Sequence, residues 1–442
     1  MICGIHDLPL RGRRRLVPPG GAALAEDDNQ VWRFYDFQVQ LTAGNLDNLQ
    51  VKMTSQGQQI PEAPTFWPSE EQFQDPLKYI EAIRSEAEPY GICRVVPPEG
   101  WSMPCHVDWA SQERFPTKRQ RVDKLRASQP YGDGRQFTLR EYKIMTDEYL
   151  RLWLQAKHPG KTLSGEALLA VLESDYLDIL DGTAGPGAVE VEYGNDVDVH
   201  KFWSGFPKPD IATRDLSVAI LDGIAFGSPE YYMRSGWNLN NIASWPGSLL
   251  RHIIAPLPGV TSPWLYLGML FSTFSWHNED NYLSSINYHH VGAPKQWYGI
   301  PGDKSGAFEK AAQELCKHQF QKVADPLHHM NTMFSPLKLA VMDVPVYRLC
   351  QAPGEFVITF PQAYHGGFSY GFNCGEAVNF AMPHWIEHAN LANERYRRIG
   401  RLAVLSHDRL MFTLARHCDE FDDSASFIPS PPTFEAHSLF NA

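Results

Sequence analysis

The chain has few cysteines, and their arrangement excludes the usual sites built from them. None of the seven cysteines forms a CxxC pair. An odd number of scattered cysteines is typical of reduced thiols, not of a disulfide framework, and the spacing fits no structural zinc knuckle. The cysteines are Cys3, Cys93, Cys105, Cys316, Cys350, Cys374 and Cys418.

The chain also lacks long apolar runs and an excess of positive charge. No uninterrupted apolar segment reaches the length of a membrane span, and the N-terminus has no signal-peptide core. The formal net charge of −12 excludes a global basic field for nucleic acids and suits a basic peptide partner better. We therefore expect a soluble intracellular protein with no membrane contact and no direct sequence-specific DNA binding.

Hydrophobic residues make up 43% of the 442 positions, enough for a sizeable core, and short strand patterns dominate the second half. Helical periodicity runs from Phe137 to about Leu180, and Ala188 to Val197 alternate like a strand. Segments such as "SINYHHVG" and "KQWYGIPG" are rich in aromatic or β-branched residues and are bounded by Gly, Pro or Asn. Regularly spaced strands of this kind predict a sandwich or barrel.

These patterns divide the chain into five stretches. Residues 1–60 receive no function, and we expect part of them to be flexible. A helix beginning at Asp75–Pro76 and a short strand "ICRVV" organise the second stretch. The stretches are 1–60, 61–103, a turn-rich connector with helices and the first core strand at 104–230, a strand-rich core at 231–400, and a helix with a polar tail at 401–442.

Three His-x-acid pairs could contribute metal ligands. With 17 His and 51 acidic residues, chance alone predicts about two such pairs, so the pattern has little specificity. His106–Asp108 lies in a proline-rich connector, and His417–Asp419 lies in a polar tail. Only His277–Glu279 ends a long apolar strand, where polar groups need partners or a chemical role.

A third ligand would complete a two-His-one-carboxylate triad, which holds Fe(II) and leaves coordination positions open. His365 in "FVITFPQAYHGGF" also ends an apolar strand, and the glycines after it permit close backbone approach. Four rival histidines lie in more polar, loop-like contexts: His289, His290, His328 and His329. Buried structural histidines are common, so the residues alone leave a structural role open as the alternative.

Two long segments resemble a known family. "PTFWPSEEQFQDPLKYIEAIRSEAEPYGICRVVPPEGW" resembles a JmjN segment, and "SGWNLNNI" through "FAMPHWIEHANLANERYRR" resembles the JmjC domain of histone lysine demethylases. The resemblance extends from Pro61 to Arg398. It implies a mainly β (α+β) protein whose core, residues 231–400, is a double-stranded β-helix, a cupin-like jelly roll, with the JmjN segment (61–103) packed on it.

The resemblance also implies the cofactors and the residues that bind them. Fe(II) would be held by His277, Glu279 and His365, and the cosubstrates would be 2-oxoglutarate and O2. Lys295 and Tyr193 would hold the distal carboxylate of 2-oxoglutarate, because a buried anion needs a cation and a donor. Around the cosubstrate, the family pattern further places Phe274, Ser285, Asn287 and Trp297.

The substrate implied by the resemblance is a methylated histone H3 tail, demethylated by N-methyl hydroxylation and formaldehyde release in the nucleus. The pattern is closest to the JARID-type and plant JmjN–JmjC branch acting on lysine 4, through the pocket residues Trp264, Tyr266, Ala377 and Asn379. Lysine 9, 27 or 36 stays open, and chromatin-associated partners are possible. Two other functions also stay open. One is a non-catalytic chromatin-binding role, favoured by the lack of the branch's cysteine-rich zinc finger in this sequence, and the other is a protein hydroxylase.

Overall fold

Strands form the centre of the structure, a computed structural model that describes residues 59–416 except 128–129, 186, 211–214, 254, 322–324, 326 and 328–330. The strands are β1 (Thr65–Phe66), β2 (Ile92–Val95), β3 (Phe115–Arg121), β4 (Gly132–Phe137), β5 (Glu190–Asp198), β6 (Trp264–Gly268), β7 (Thr273–His277), β8 (Ser284–Gly292), β9 (Lys295–Ile300), β10 (Tyr347–Gln351), β11 (Phe356–Thr359), β12 (Tyr364–Ser369) and β13 (Asn373–Phe380). The helices are α1 (Pro76–Ala87), α2 (Leu139–Lys157), α3 (Gly165–Asp181), α4 (Val199–Phe202), α5 (Pro229–Arg234), α6 (Ser305–Leu315), α7 (Lys317–Phe320), α8 (Pro336–Val341), α9 (Trp385–Ile399) and α10 (His407–Arg416).

Two sheets are built from these strands. The larger has the order β1-β2-β11-β8-β13-β6-β5-β3-β4, and the smaller has the order β10-β9-β12-β7. Most neighbours are antiparallel and non-consecutive in the chain, as in a jelly roll. The predicted mainly β, α+β fold with a cupin-like core is confirmed.

The N-terminal segment is part of the large sheet. β1 pairs with β2 in parallel, and β2 pairs with β11 of the core in antiparallel orientation. Helix α1 begins as predicted, with the Asp75 side chain accepting hydrogen bonds from the first backbone amides and Pro76 in the first turn. Leu77, Ile80 and Ile83 are buried against a core cluster that contains Trp237 and Phe356. The segment therefore shares its hydrophobic core with the strands that follow it.

The structure differs from the sequence expectation at residues 115–137. We expected a charged, turn-rich connector, but the chain forms the antiparallel pair β3–β4, and β3 also pairs with β5. The charged residues of β3 face solvent, while Phe115, Thr117 and Gln120 face inward. The Gly and Asp residues of β4 indicated a turn, yet pairing with β3 satisfies its backbone as an edge strand.

None of the helices in the described part of the chain combines the length and apolar character that a membrane span requires.

Candidate metal centre

Two strands of the small sheet bring three candidate ligands together. β7 ends at His277, and its antiparallel pairing with β12 sets His277 directly opposite His365. Glu279 follows two residues later on extended backbone, outside the strand. One ligand atom from each of His277, Glu279 and His365 lies within 4.8 Å of the others. Within the described ranges, this is the group of His, Cys, Asp and Glu side chains that could hold a metal ion.

Backbone carbonyl oxygens orient both imidazole rings. The Nδ1 atom of His277 lies 2.7 Å from the Ser275 carbonyl oxygen, and that of His365 lies 3.3 Å from the Ala363 carbonyl oxygen. Donation from Nδ1 leaves Nε2 free as the ligand atom. The His365 Nε2 atom lies 3.4 Å from Glu279 Oε1, so the free nitrogen faces the carboxylate. The arrangement matches the orientation that metal-binding histidines need.

The protonation states also suit a metal. Desolvation and the neighbouring His365 lower the pKa of His277 to about 4. Desolvation raises the pKa of Glu279, but the neighbouring side chains of His365, His277 and Asn379 outweigh it, and the pKa falls to about 2. At neutral pH the site therefore offers a neutral imidazole and an ionised carboxylate, the forms that ligate metals. Two imidazoles and one carboxylate on one side of a cavity fit Fe(II) with open positions.

A β-bulge turns Phe274 toward the same cavity as His277. Between the paired positions His365 and Gly367 on β12, the partner strand advances from His277 to Phe274, one residue more than regular pairing allows. Residues three apart in a regular strand would face opposite sides. Gly367 makes the approach possible, since a Cβ there would lie 2.6 Å from Phe274 Cζ and 1.9 Å from the Gln296 carbonyl oxygen. Phe274 and His277 consequently line one cavity.

The cavity measures about 450 Å³ and lies between the two sheets. Both sheets contribute side chains, and eleven of the thirteen residues that the sequence nominated line it. They are Tyr193, Tyr266, Phe274, His277, Glu279, Ser285, Asn287, Lys295, Trp297, His365 and Ala377. A space of this size and mixed lining suits a small diacid together with one extended side chain.

Lys295 provides a buried cation at this cavity. Its side chain is 2% exposed, and burial lowers its pKa to about 8. Its Nζ atom lies 5.8 Å from the centre of the Tyr266 ring, and among the described residues no carboxylate pairs with it. Asn287 Oδ1 is likewise buried and lacks a hydrogen-bond partner there. Buried polar atoms without partners are uncommon and indicate a place for a polar ligand.

The neighbours of Lys295 favour a carboxylate ligand. Burial raises the pKa of the Tyr193 hydroxyl, so that it stays a protonated donor. Gly375 leaves the ammonium its space, because a Cβ at that position would lie 3.0 Å from Nζ. An ammonium and a phenol together can bind one end of a dianion.

Trp297 and Ser285 are each held by a hydrogen bond to a residue that does not line the cavity. The Trp297 indole donates to Gln351 Oε1 at 2.9 Å, and its ring lies 4.6 Å from Phe274 and 6.1 Å from His365 between ring centres. The Ser285 hydroxyl lies 2.6 Å from the Thr359 hydroxyl. The aromatic wall beside the three ligands is therefore held in one orientation.

Two nominated substrate-pocket residues do not line the cavity. Trp264 is half-buried and packs over Gly259, where a Cβ would lie 2.9 Å from the indole. Asn379 is buried, donates to the Ser284 carbonyl oxygen at 3.1 Å and hydrogen-bonds the Glu279 carboxylate. Asn379 thus hydrogen-bonds a candidate metal ligand without lining the cavity itself.

The rival histidines lie elsewhere. The expectation that His289 and His290 lie in polar loops is wrong, because both are buried in β8 between β11 and β13. His290 Nε2 lies 2.8 Å from Glu376 Oε2, and the side chain of His289 is fully buried. Among the described residues, His106 belongs to no group of three side chains that could hold a metal ion. His328, His329 and the pair His417–Asp419 lie outside the described residues.

The cavity also contains residues that the sequence did not nominate. They are Tyr131, Asn195, Asp196, Asn278, Asp280, Asn331 and Arg401, together with Thr273, Ser275, Trp276, Leu327 and Tyr364. Asn195 and Asp196 lie two and three residues after Tyr193 in β5, so their proximity in sequence was a usable signal. Arg401 follows α9 and had no motif to mark it.

Comparison with known proteins agrees with this geometry. Residues 64–97 match the jmjN domain, and residues 264–380 match the family described as JmjC domain, hydroxylase. The chain is 37% identical over 423 residues to the putative lysine-specific demethylase JMJ16 of Arabidopsis thaliana, which covers 82% of this chain and 34% of that protein. It is 37% identical over 402 residues to the lysine-specific demethylase JMJ703 of Oryza sativa subsp. japonica, covering 81% and 31% respectively.

A third relative has a different description. The probable inactive lysine-specific demethylase JMJ19 of Arabidopsis thaliana is 32% identical over 389 residues, covering 81% of this chain and 52% of that protein. The chain spans about a third of the length of the first two relatives and about half of the third. It therefore contains a jmjN domain and a JmjC domain and is similar, over about four fifths of its length, to plant proteins named lysine-specific demethylases.

Proposed function

We propose that this chain is an Fe(II)- and 2-oxoglutarate-dependent dioxygenase that demethylates histone H3, acting on tri- or dimethylated lysine 4 in the nucleus. The observation that carries the proposal is the presence, in one cavity, of the His277–Glu279–His365 group and of the buried Lys295 ammonium, with which no carboxylate of the described residues forms an ion pair. The three candidate ligands are suited to a metal, and the Lys295 ammonium needs an anion. A metal-chelating dicarboxylate meets both requirements.

The roles of the residues follow from their positions. His277, Glu279 and His365 would hold the iron, and Lys295 with Tyr193 would bind the distal carboxylate of 2-oxoglutarate. Phe274 and Trp297 form an apolar wall that excludes water from one side of the cosubstrate. Bound iron supplies the oxidative chemistry by which O2 and 2-oxoglutarate hydroxylate an N-methyl group.

The methylated side chain would approach from the side of Tyr266 and Ala377. The Tyr266 ring offers a π face to a methylammonium group, and desolvation keeps the pKa of its hydroxyl well above the ordinary value. Asp196, whose carboxylate hydrogen-bonds the Tyr266 hydroxyl, adds negative charge near the same position. A small residue at Ala377 leaves room for methyl groups. The preference for lysine 4 rests on the resemblance of these positions to that branch.

A panel of peptides tests the substrate. With iron, 2-oxoglutarate and oxygen, we expect an H3 peptide trimethylated at lysine 4 to lose methyl groups and release formaldehyde, measured by mass spectrometry. Peptides methylated at lysines 9, 27 and 36 should react more slowly. Faster loss from one of these would reassign the lysine, and a gain of oxygen without methyl loss would indicate a protein hydroxylase. No turnover on any peptide despite bound iron would contradict the proposal and favour the non-catalytic role.

Affinity for 2-oxoglutarate should depend on pH through Lys295. Because burial lowers the pKa of this group to about 8, the cation that binds the carboxylate is present below pH 8 and is lost above it. We expect the affinity to fall by about tenfold from pH 7 to pH 9. Titration of the Mn²⁺-loaded protein with 2-oxoglutarate by calorimetry measures the effect. Lys295→Arg, which stays charged throughout, should give a flat profile; a slope that persists in this variant would assign the effect to another group.

A further inference from the structure

The turn that follows Glu279 has an unfavourable backbone conformation. Asn281 and Tyr282 both have φ of 53°, in the left-handed region, and neither is glycine. Each such residue costs on the order of 1 kcal/mol or more, so two in succession persist only where surrounding contacts hold them. The Tyr282 amide donates to the Glu279 carbonyl oxygen at 3.0 Å. The strained turn, residues 280–282, is therefore attached directly to a candidate metal ligand.

Helix α9 holds the backbone of this turn. The Asn281 amide donates to the Tyr396 hydroxyl at 2.9 Å, and the Trp385 indole donates to the Asn281 carbonyl oxygen at 3.0 Å. Asn281 is completely buried, so these groups have no water to replace a lost partner. The peptide groups on both sides of Asn281 are thus fixed by one helix.

Arg401, just after α9, holds the first residue of the turn. Its Nη2 atom lies 2.7 Å from Asp280 Oδ1, and its guanidinium lies 5.1 Å from the centre of the Tyr396 ring. The Tyr396 hydroxyl also hydrogen-bonds the Asp280 carboxylate. Asp280, Tyr396 and Arg401 therefore form one connected group beside Glu279, and Arg401 reaches the wall of the cavity.

We propose that Tyr396 and Arg401 are positioning residues that hold the 280–282 turn and thereby aim the Glu279 carboxylate at the centre defined by His277 and His365. The strand pairing of β7 with β12 fixes the two histidines, but Glu279 lies beyond β7 and has no such pairing. Its backbone position depends on the turn that follows. The inference rests on the proposed metal centre and extends it to residues outside the matched range 264–380.

Cobalt binding to the purified chain tests the inference without relying on turnover. Tyr396→Phe removes the hydroxyl and keeps the ring. We expect its Kd for Co²⁺ to rise by about tenfold and the visible absorption of bound Co²⁺ to change, because the carboxylate is displaced. Tyr347→Phe is the matched control, since Tyr347 packs on Tyr90, does not line the cavity and has no contact with the 280–282 turn among those described, so both readouts should stay unchanged.

A second variant covers the case in which Tyr396→Phe fails to fold. Arg401→Gln alters a partly exposed side chain and should also weaken Co²⁺ binding, whereas Arg401→Lys, which retains the charge, should restore part of it. Wild-type Co²⁺ affinity and absorption in both variants, or in Arg401→Gln where Tyr396→Phe does not fold, would overturn the inference alone. A wild-type chain that binds no Co²⁺ would overturn the metal centre, and the inference with it.

Discussion

His277→Ala is expected to abolish metal binding and to reduce demethylation at least about a thousandfold, because the variant loses one of the three candidate ligands of the centre. The site partly desolvates the His277 ring, but the residue is solvent-accessible at the end of β7, so its removal leaves no enclosed cavity in the core. We therefore expect the thermal midpoint of the metal-free protein to stay near that of the wild type. Co²⁺ titration, formaldehyde release and thermal unfolding measure the three quantities.

The sequence provides a matched control in His106→Ala. His106 has the same His-x-acid pattern with Asp108 and is also exposed, but among the described residues it belongs to no group of three side chains that could hold a metal ion. This variant should retain metal and turnover. Equal metal affinity in His277→Ala and the wild type would contradict the assignment of the centre. Retention of both H3-peptide affinity and cellular effect in a metal-free His277→Ala protein would favour a non-catalytic role.

The comparison of these two pairs explains how far the sequence could predict the site. Composition could not separate the His106–Asp108 pair from the His277–Glu279 pair, since the number of His-x-acid pairs in the sequence is close to the number that chance predicts. Position could, because His277 and His365 each end an apolar strand, and the ends of paired strands lie together. The convergence with Lys295 and Tyr193 came from family resemblance, since no local signal joins residues a hundred positions apart.

Other features needed the three-dimensional structure. The bulge that turns Phe274 inward depends on how β7 registers against β12, which the alternation of β7 alone contradicts. β3 and β4 carry charge and glycine that indicate a connector, and only their pairing makes them strands. Histidines 289 and 290 seemed to lie in a polar loop because local composition does not reveal that β8 is central. Each miss is a tertiary contact that overrides a local preference.

Lys295→Met is expected to change binding and stability in opposite directions. Loss of the ammonium leaves the distal carboxylate of 2-oxoglutarate buried without its cation, which costs about 3 kcal/mol and weakens binding by about a hundredfold or more. The same ammonium is unfavourable in the protein without cosubstrate, as the fall of its pKa from 10.5 to about 8 indicates. A depressed pKa of a base means that its charged form destabilises the folded state below that pKa. At pH 7 the variant should therefore unfold at a higher temperature than the wild type.

The opposite effects of Lys295→Met on cosubstrate affinity and on stability separate a binding role of Lys295 from a structural one. If Lys295 only supported the fold, Lys295→Met would lower stability and cosubstrate affinity together. Lys295→Arg is the control for charge. The Lys295 ammonium lies close to Gly375, where an added Cβ would be 3.0 Å from Nζ, so the larger guanidinium has little space there. That variant should bind 2-oxoglutarate better than Lys295→Met and worse than the wild type. The stability gain should disappear above pH 10.5, where the lysine is neutral in both folded and unfolded chains; a gain that persists there would assign it to packing by methionine and not to the removed charge.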